Sequence, residues 1–170
     1  MKKFLLGFLA ALLVVGAGAY FYFDLGLAPV ATSAPPMPFE QRLAGMALHA
    51  RISKEMPRQP TIPADEANMV AGAQIYRQHC AVCHGLIGPP ETAIAKGMFP
   101  HPPQLLVGTG VTDDPPGETY WKAANGIRLT GMPGFKGSLT DMQLWQVSLM
   151  LANAHGLPAG AQAALSEAPK

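Results

Sequence analysis

The chain is poor in charge, in cysteine and in β-strand patterning, and each shortage narrows the possible functions. Charged residues make up 14% of the 170 residues and the net charge is +1, which gives no argument for a nucleic-acid partner. The chain has two cysteines and no second Cys/His pair at close spacing, so a four-ligand zinc site is disfavoured. Neither alternating strand patterns nor internal repeats occur. Its 18 glycines and 17 prolines indicate a loop-rich chain.

One long apolar run stands at the N-terminus. Lys2 and Lys3 precede Phe4–Phe23, which contains no charge and as a helix is about 30 Å long, enough to cross a bilayer. Basic residues stay on the cytoplasmic side, so the rest of the chain is expected to be exported. A cleaved signal peptide is the alternative, since residues 17–19 read Ala-Gly-Ala. We expect residues 1–24 to form a single-pass anchor in a bacterial inner membrane, with the remainder in the periplasm.

The most informative motif is residues 80–84, which read Cys-Ala-Val-Cys-His. Two thiols at this spacing can add across the two vinyl groups of one porphyrin, and the next histidine then lies under the iron as an axial ligand. A redox-active cysteine pair, half of a zinc site and a disulfide are weaker interpretations. The sequence therefore predicts one covalently bound haem c, attached through Cys80 and Cys83 and ligated by His84.

A second axial ligand is expected from one of the nine methionines. Met132 lies in Gly-Met-Pro-Gly, residues 131–134, where glycine and proline favour an extended loop able to bring a thioether to the iron. Met98 is a competitor, although its loop would have to round the haem edge to reach the far face. His101 is a further alternative. Since most methionines are simply core residues, the loop context is what favours Met132.

Helical periodicity predicts the organisation of the first half of the chain. Residues 25–64 form a Pro-rich linker that includes a short amphipathic helix over residues 39–56. That helix is either a surface helix packed on the following domain or a docking element. The next helix runs into the cysteine motif, with Asn68 as its predicted N-cap.

Two further helices are predicted in the second half. One covers Pro115–Asn125 with Asp114 as its cap. The other begins with a capping box formed by Thr140 and Gln143. Residues 157–170 are small and polar, and we expect a flexible tail.

In order along the chain, the sequence resembles class I bacterial cytochromes c, which are monohaem proteins with His/Met ligation. The matching motifs are Gly72–Tyr76, Cys80–His84, Asn125-Gly126-Ile127-Arg128, Thr130-Gly131-Met132-Pro133 and the capped terminal helix. The resemblance implies an all-α class I cytochrome c fold wrapped around one covalent haem over residues 65–156, preceded by the transmembrane helix. It also implies that the first and last helices of this domain cross near Gly72, with Met132 as the distal ligand.

The same resemblance implies roles for residues around the haem. A proline carbonyl accepts a hydrogen bond from the haem-ligating imidazole, and Pro103 is the expected residue, with Leu105 packing on the haem. Pro100 and Pro102 compete for this role, because the loop after His84 is longer than in compact members of the family.

Arg128 and Trp121 are the implied partners of the haem propionates. The expected function is one-electron transfer between redox proteins such as a dehydrogenase, a quinol-oxidising complex or a terminal oxidase, by a carrier that is not itself an enzyme. Two alternatives remain. The chain could be a fixed electron-entry subunit of a multisubunit membrane oxidoreductase, or a haem gas sensor or enzyme with a labile methionine ligand.

Overall fold

The computed structural model describes residues 1–166, and over that range it contains helices and loops without strands, as predicted. Two compact units are present, one ending at Leu43 and the other beginning at Ala44. The helices are α1 (Lys2–Asp24), α2 (Glu40–Glu55), α3 (Glu66–His79), α4 (Ala81–His84), α5 (Ala93–Lys96), α6 (Pro116–Asn125), α7 (Asp141–Ala152) and α8 (Ala159–Ser166), with a 3-10 turn at Ala154–Gly156.

Helix α1 has the length and composition of a membrane-spanning helix. Its 23 residues extend about 35 Å at 1.5 Å per residue, and none of them is buried. The apolar side chains therefore face outward all round the helix. Such an apolar surface is what a helix presents to the hydrocarbon core of a bilayer. This is consistent with the single-pass anchor predicted from sequence.

Helices α3 and α7 cross at Gly72, as the resemblance implied. A Cβ atom at Gly72 would overlap the carbonyl oxygen of Gln146 and come within 2.8 Å of the Met150 Cβ. The backbone of α7 thus lies directly against α3, which only glycine permits at this position. Met150 is fully buried at the crossing. The crossing holds α3 in place, and the cysteine motif follows directly at the end of that helix.

The helix boundaries show that both predicted N-caps, Asn68 of α3 and Asp114 of α6, are wrong. Helix α3 starts one turn before Asn68, because the Asp65 carboxylate accepts a hydrogen bond of 2.9 Å from the Asn68 backbone N–H. An aspartate in extended conformation is a strong N-cap. Asp114 does not cap α6; its carboxylate lies 3.8 Å from the Lys122 ammonium group, and Pro115 occupies the N-cap position.

The capping box of α7 is present as predicted. The Thr140 hydroxyl accepts from the Gln143 N–H at 3.3 Å, and the Gln143 side chain accepts from the Thr140 N–H at 2.9 Å. Seven of the helix's twelve residues are buried, so α7 is the central helix of the second unit.

The sequence predicts a flexible tail from residue 157, and this prediction is wrong for residues 157–166. Helix α8 packs on α3, with Ala161 and Leu165 buried, and the Arg77 guanidinium donates to the Ala164 carbonyl at 2.9 Å. Alanine-rich segments carry a weak apolar periodicity, yet their small side chains let two helices lie close together. Residues 167–170 of the expected tail lie outside the described part of the chain.

The predicted linker is shorter than residues 25–64. The second unit begins at Ala44, inside α2, and Ile52 on this helix is only 2% exposed. Trp121 of α6 donates from its indole nitrogen to the Glu55 carboxylate at 3.2 Å. The second half of α2 is thus part of the packed unit, in agreement with the interpretation of a helix packed on the domain.

Candidate functional site

The second unit encloses a cavity of about 350 Å³ that brings together the residues predicted to bind haem. Cys80, Cys83 and His84 line it from the α3–α4 side, while Met132 lines it from the loop between α6 and α7. Other lining residues are mostly apolar and include Leu105, Val111, Ala123, Val147 and Leu151. The arrangement is therefore a largely apolar pocket with one imidazole, two thiols and thioethers in its wall.

The His84 ring is oriented by a backbone carbonyl. Its Nδ1 lies 2.8 Å from the Pro103 oxygen, so this nitrogen carries the proton and Nε2 keeps its lone pair. Burial lowers the pKa of His84, and the bond to Pro103 opposes that shift. Pro103, rather than Pro100 or Pro102, makes this contact. A neutral imidazole with a fixed ring plane and a free Nε2 is the form that ligates iron.

Tyr76 contributes a contact that sequence analysis missed. Its hydroxyl lies 2.8 Å from the Gly85 carbonyl and 3.2 Å from the His84 carbonyl, and the residue is fully buried. Burial raises the pKa of Tyr76, so the phenol stays protonated and donates. The available signal was a tyrosine on the buried face of α3 one turn before the cysteines, since a buried tyrosine hydroxyl needs a partner.

The two cysteines do not resemble a redox-active pair. Both are free and partly exposed. Burial, with a smaller contribution from Cys83, raises the pKa of Cys80 to about 12, whereas reactive CxxC pairs need a lowered pKa. Among residues 1–166 no cluster of three or more Cys, His, Asp or Glu side chains could hold a metal ion. The redox-pair and zinc interpretations are both weakened.

Backbone hydrogen bonds define the loop that carries Met132. The Met132 N–H donates to the Thr130 hydroxyl at 3.1 Å, and its carbonyl accepts from the Ile127 N–H at 3.2 Å. Further along, the Phe135 N–H donates to the Ala123 carbonyl at 2.9 Å, which joins the loop to the end of α6. The loop is thus held against α6 on both sides of the methionine.

Both competitors of Met132 also line the cavity. The Met98 methyl group occupies the space that a Cβ at Gly131 would fill, so Met98 reaches the loop that carries Met132. Met98 was expected to need a loop that rounds the haem edge, and the structure places its side chain in the cavity wall beside that of Met132. His101 lies 3.4 Å from the Glu91 carboxylate through its Nε2.

Residues 67–149, 83 of the 170, match the family described as cytochrome c oxidase, cbb3-type, subunit III. The match spans the cysteine motif, Met132, α6 and most of α3 and α7, but not α2. This segment is a monohaem c-type cytochrome domain. No curated protein and no solved structure shows significant similarity to the chain.

The cavity of the cytochrome domain fits a covalently bound haem c. Its apolar wall matches a porphyrin, and the thiols and the oriented imidazole lie together at one side. The wall also contains the Thr119 hydroxyl, a buried polar atom that has no hydrogen-bond partner within residues 1–166. Haem c supplies reversible one-electron reduction of its iron, while the chain supplies attachment, ligands and burial.

Two predicted residues lie outside this cavity. Neither Arg128 nor Trp121 is among its lining residues. Arg128 is exposed, and the Trp121 indole N–H is already bonded to Glu55. The geometry thus gives no support to these two residues as propionate partners. Leu105, in contrast, lines the cavity and packs against the core of the cytochrome domain.

Proposed function

We propose that the chain is a membrane-anchored electron-transfer protein whose haem c is attached to Cys80 and Cys83 and ligated by His84 and Met132. The observation that carries the proposal is an apolar cavity that all four residues line, with the His84 ring oriented by Pro103. Two strong-field ligands on one iron keep its coordination unchanged during reduction and oxidation, which suits electron transfer.

Met132 is favoured over Met98 as the distal ligand by the way each backbone is held. The N–H and C=O of Met132 are both hydrogen-bonded within a loop that is fastened to α6. Met98 follows the four-residue helix α5, and its N–H donates to the Ala95 carbonyl at 3.2 Å. A ligand that must stay bound in both oxidation states benefits from the better fixed loop.

The proposed location is the periplasmic side of a bacterial inner membrane. Lys2 and Lys3 begin α1, ahead of its apolar run, and basic residues stay in the cytoplasm, so the cytochrome domain would lie on the opposite side. Attachment of haem to a CxxCH motif fits an exported domain. The electron donors and acceptors would be membrane or periplasmic redox proteins, namely a dehydrogenase, a quinol-oxidising complex or a terminal oxidase.

A fixed electron-entry subunit of a membrane oxidoreductase is the second candidate. Two observations favour it: the matching family is described as a subunit of an oxidase, and the packed unit already begins at Ala44. A shorter linker leaves less freedom for a carrier that moves between partners. Solubilising the membranes mildly and purifying the chain distinguishes the two, since a fixed subunit co-purifies with catalytic subunits and a mobile carrier does not.

Carbon monoxide binding tests the ligand assignment directly. We expect the ferrous wild-type protein not to bind carbon monoxide, because both axial positions are filled. Met132→Ala should bind it readily, while Met98→Ala, the matched control in the same cavity, should not. Absorption spectra of the purified ferrous proteins with and without carbon monoxide provide the measurement. Binding by Met98→Ala alone would transfer the ligand role to Met98, and binding by the wild type would favour the sensor or enzyme alternative.

A further inference from the structure

The cavity must also accommodate the two propionate carboxylates of its haem. A buried carboxylate is costly unless it meets hydrogen-bond donors or a cation. With Arg128 and Trp121 outside the cavity, these groups have to come from elsewhere in the wall. The position of the spare donors then indicates which side of the cavity receives the carboxylates.

Most polar side chains in the wall are already engaged. The Thr130 hydroxyl donates to the Ile127 carbonyl at 2.7 Å, and the His101 ring faces the Glu91 carboxylate. The ring of His79 packs edge-on against that of Phe135, with centroids 5.8 Å apart. The Thr130 hydroxyl is therefore not a spare donor, and the contacts of the His79 and His101 rings are with Phe135 and Glu91 rather than with α6.

Helix α6 provides a spare donor and a fixed cation. Thr119 is 8% exposed, and its hydroxyl is without a hydrogen-bond partner within residues 1–166. Lys122 lies three residues on, on the same helical face, and also lines the cavity. Its ammonium group is 2.6 Å from the Glu118 carboxylate and 3.8 Å from that of Asp114, so the cation is held in place.

Helix α2, which precedes the segment matched by the family, adds a second donor. Leu48 and His49 line the cavity, and no hydrogen bond to the His49 ring is present in the part of the chain that the structure describes. The end of α2 is fastened to α6 by the bond from Trp121 to Glu55. The chain just beyond α2 packs there too, because the Pro57 carbonyl fills the space that a Cβ at Gly117 would occupy.

We propose that the haem propionates are bound between α6 and α2, where the Thr119 hydroxyl donates to one carboxylate and the Lys122 ammonium group and the His49 ring supply further hydrogen-bond donors. The inference rests on the proposed function, since it requires one haem in this cavity. The inference extends the haem site beyond the segment that the family matches, because α2 then forms part of the wall around the haem. Loss of a donor leaves the carboxylate charge less compensated, which stabilises ferric iron and lowers the reduction potential.

Substituting Thr119→Val tests the site, because it removes the donor and keeps the shape. In redox-difference infrared spectra of protein carrying carboxylate-labelled haem, we expect the propionate band to shift. The reduction potential should fall, while the absorption spectrum stays that of a six-coordinate haem. Thr119→Ser, which restores the hydroxyl, should recover both values. Thr112→Val is the matched control, because that hydroxyl donates to the Thr109 carbonyl outside the cavity.

His49→Gln provides a second test that does not depend on the folding of a core variant, because His49 lines the cavity yet is exposed. It should lower the potential less than Thr119→Val, and Lys54→Gln on the same helix should leave the potential unchanged. An unchanged carboxylate band and potential in both Thr119→Val and His49→Gln would overturn the inference. Failure of the wild-type protein to bind haem covalently would instead overturn the proposed function, so the two failures are distinguishable.

Discussion

The two sides of the haem cavity are built in different ways. The proximal flank, from α3 through α4 to Pro103, is held by side-chain hydrogen bonds: the Tyr76 hydroxyl contacts two carbonyls, and the His84 ring is bonded to the Pro103 carbonyl. The distal loop, residues 126–135, is held by backbone hydrogen bonds and by glycines pressed against the end of α6. Side-chain anchors tolerate small adjustments, whereas close backbone contacts do not.

Gly126 and Gly85 allow a direct comparison of the two sides. Both have a positive φ, +69° and +74°, with extended ψ, a region that only glycine readily adopts. A Cβ at Gly126 would lie 2.6 Å from the Gly134 nitrogen and 2.8 Å from the Met132 carbonyl oxygen. The three atoms nearest to a Cβ at Gly85 all belong to the side-chain amide of Gln104, which can rotate away.

The largest effect is expected for Gly126→Ala. Backbone strain and overlap with the distal loop should reduce the free energy of unfolding by about 3 kcal/mol. Displacement of Met132 should also let ferrous protein bind carbon monoxide. Denaturant unfolding of the haem-loaded protein and a carbon monoxide titration measure the two effects. Gly137→Ala, which has no atom near its added methyl group, is the control. An intact distal ligand in Gly126→Ala would show that the loop adjusts more easily than its contacts indicate.

A smaller effect is expected for Gly85→Ala. Strain at the positive φ remains, but the Gln104 side chain can move, so we expect a loss of about 2 kcal/mol in the free energy of unfolding. His84 should stay bound to iron, and ferrous protein should still exclude carbon monoxide. The same unfolding and titration measurements apply. A greater loss here than in Gly126→Ala would reverse the comparison between the two sides.

The smallest of the three effects is expected for Tyr76→Phe. Removing the hydroxyl leaves the partly buried carbonyls of His84 and Gly85 without this donor, which should reduce the free energy of unfolding by about 1.5 kcal/mol. The ring still fills its place in the core, so haem attachment and both ligands should be retained. Denaturant unfolding measures the change, with Tyr22→Phe on the exposed helix α1 as the control. No measurable loss would indicate that water or backbone adjustment replaces the hydroxyl.

Much of the site was predictable because its chemistry lies in short, contiguous motifs. The CxxCH spacing fixes the attachment chemistry, and glycine and proline around Met132 indicate a loop able to carry a ligand. The capping box of α7 was equally local. Contacts between distant segments were not predictable in this way. Glu55 accepts a hydrogen bond from the Trp121 indole, and α2 lines the cavity, only because helices from separate parts of the chain pack together. No local sequence pattern encodes that packing.

Alanine-rich α8 illustrates the same limit at the C-terminus. Its composition resembles a flexible tail, yet Ala161 and Ala164 are buried against α3. Hydrophobic periodicity depends on strongly apolar side chains that recur at helical spacing. Burial of α8 depends instead on how closely two helix backbones approach, which small side chains permit.

The sequence by itself determined the cofactor class, the helical class and the apolar N-terminal helix, and it predicts the attachment and proximal ligand residues, because each follows from residue types at fixed short spacing. Tertiary structure alone decided which proline orients His84, where Met98 lies, and that Thr119 and His49 join the cavity wall. The reason is physical: ring orientation, unpaired donors and cavity walls arise from contacts between residues far apart in the chain, and these exist only once the helices have packed.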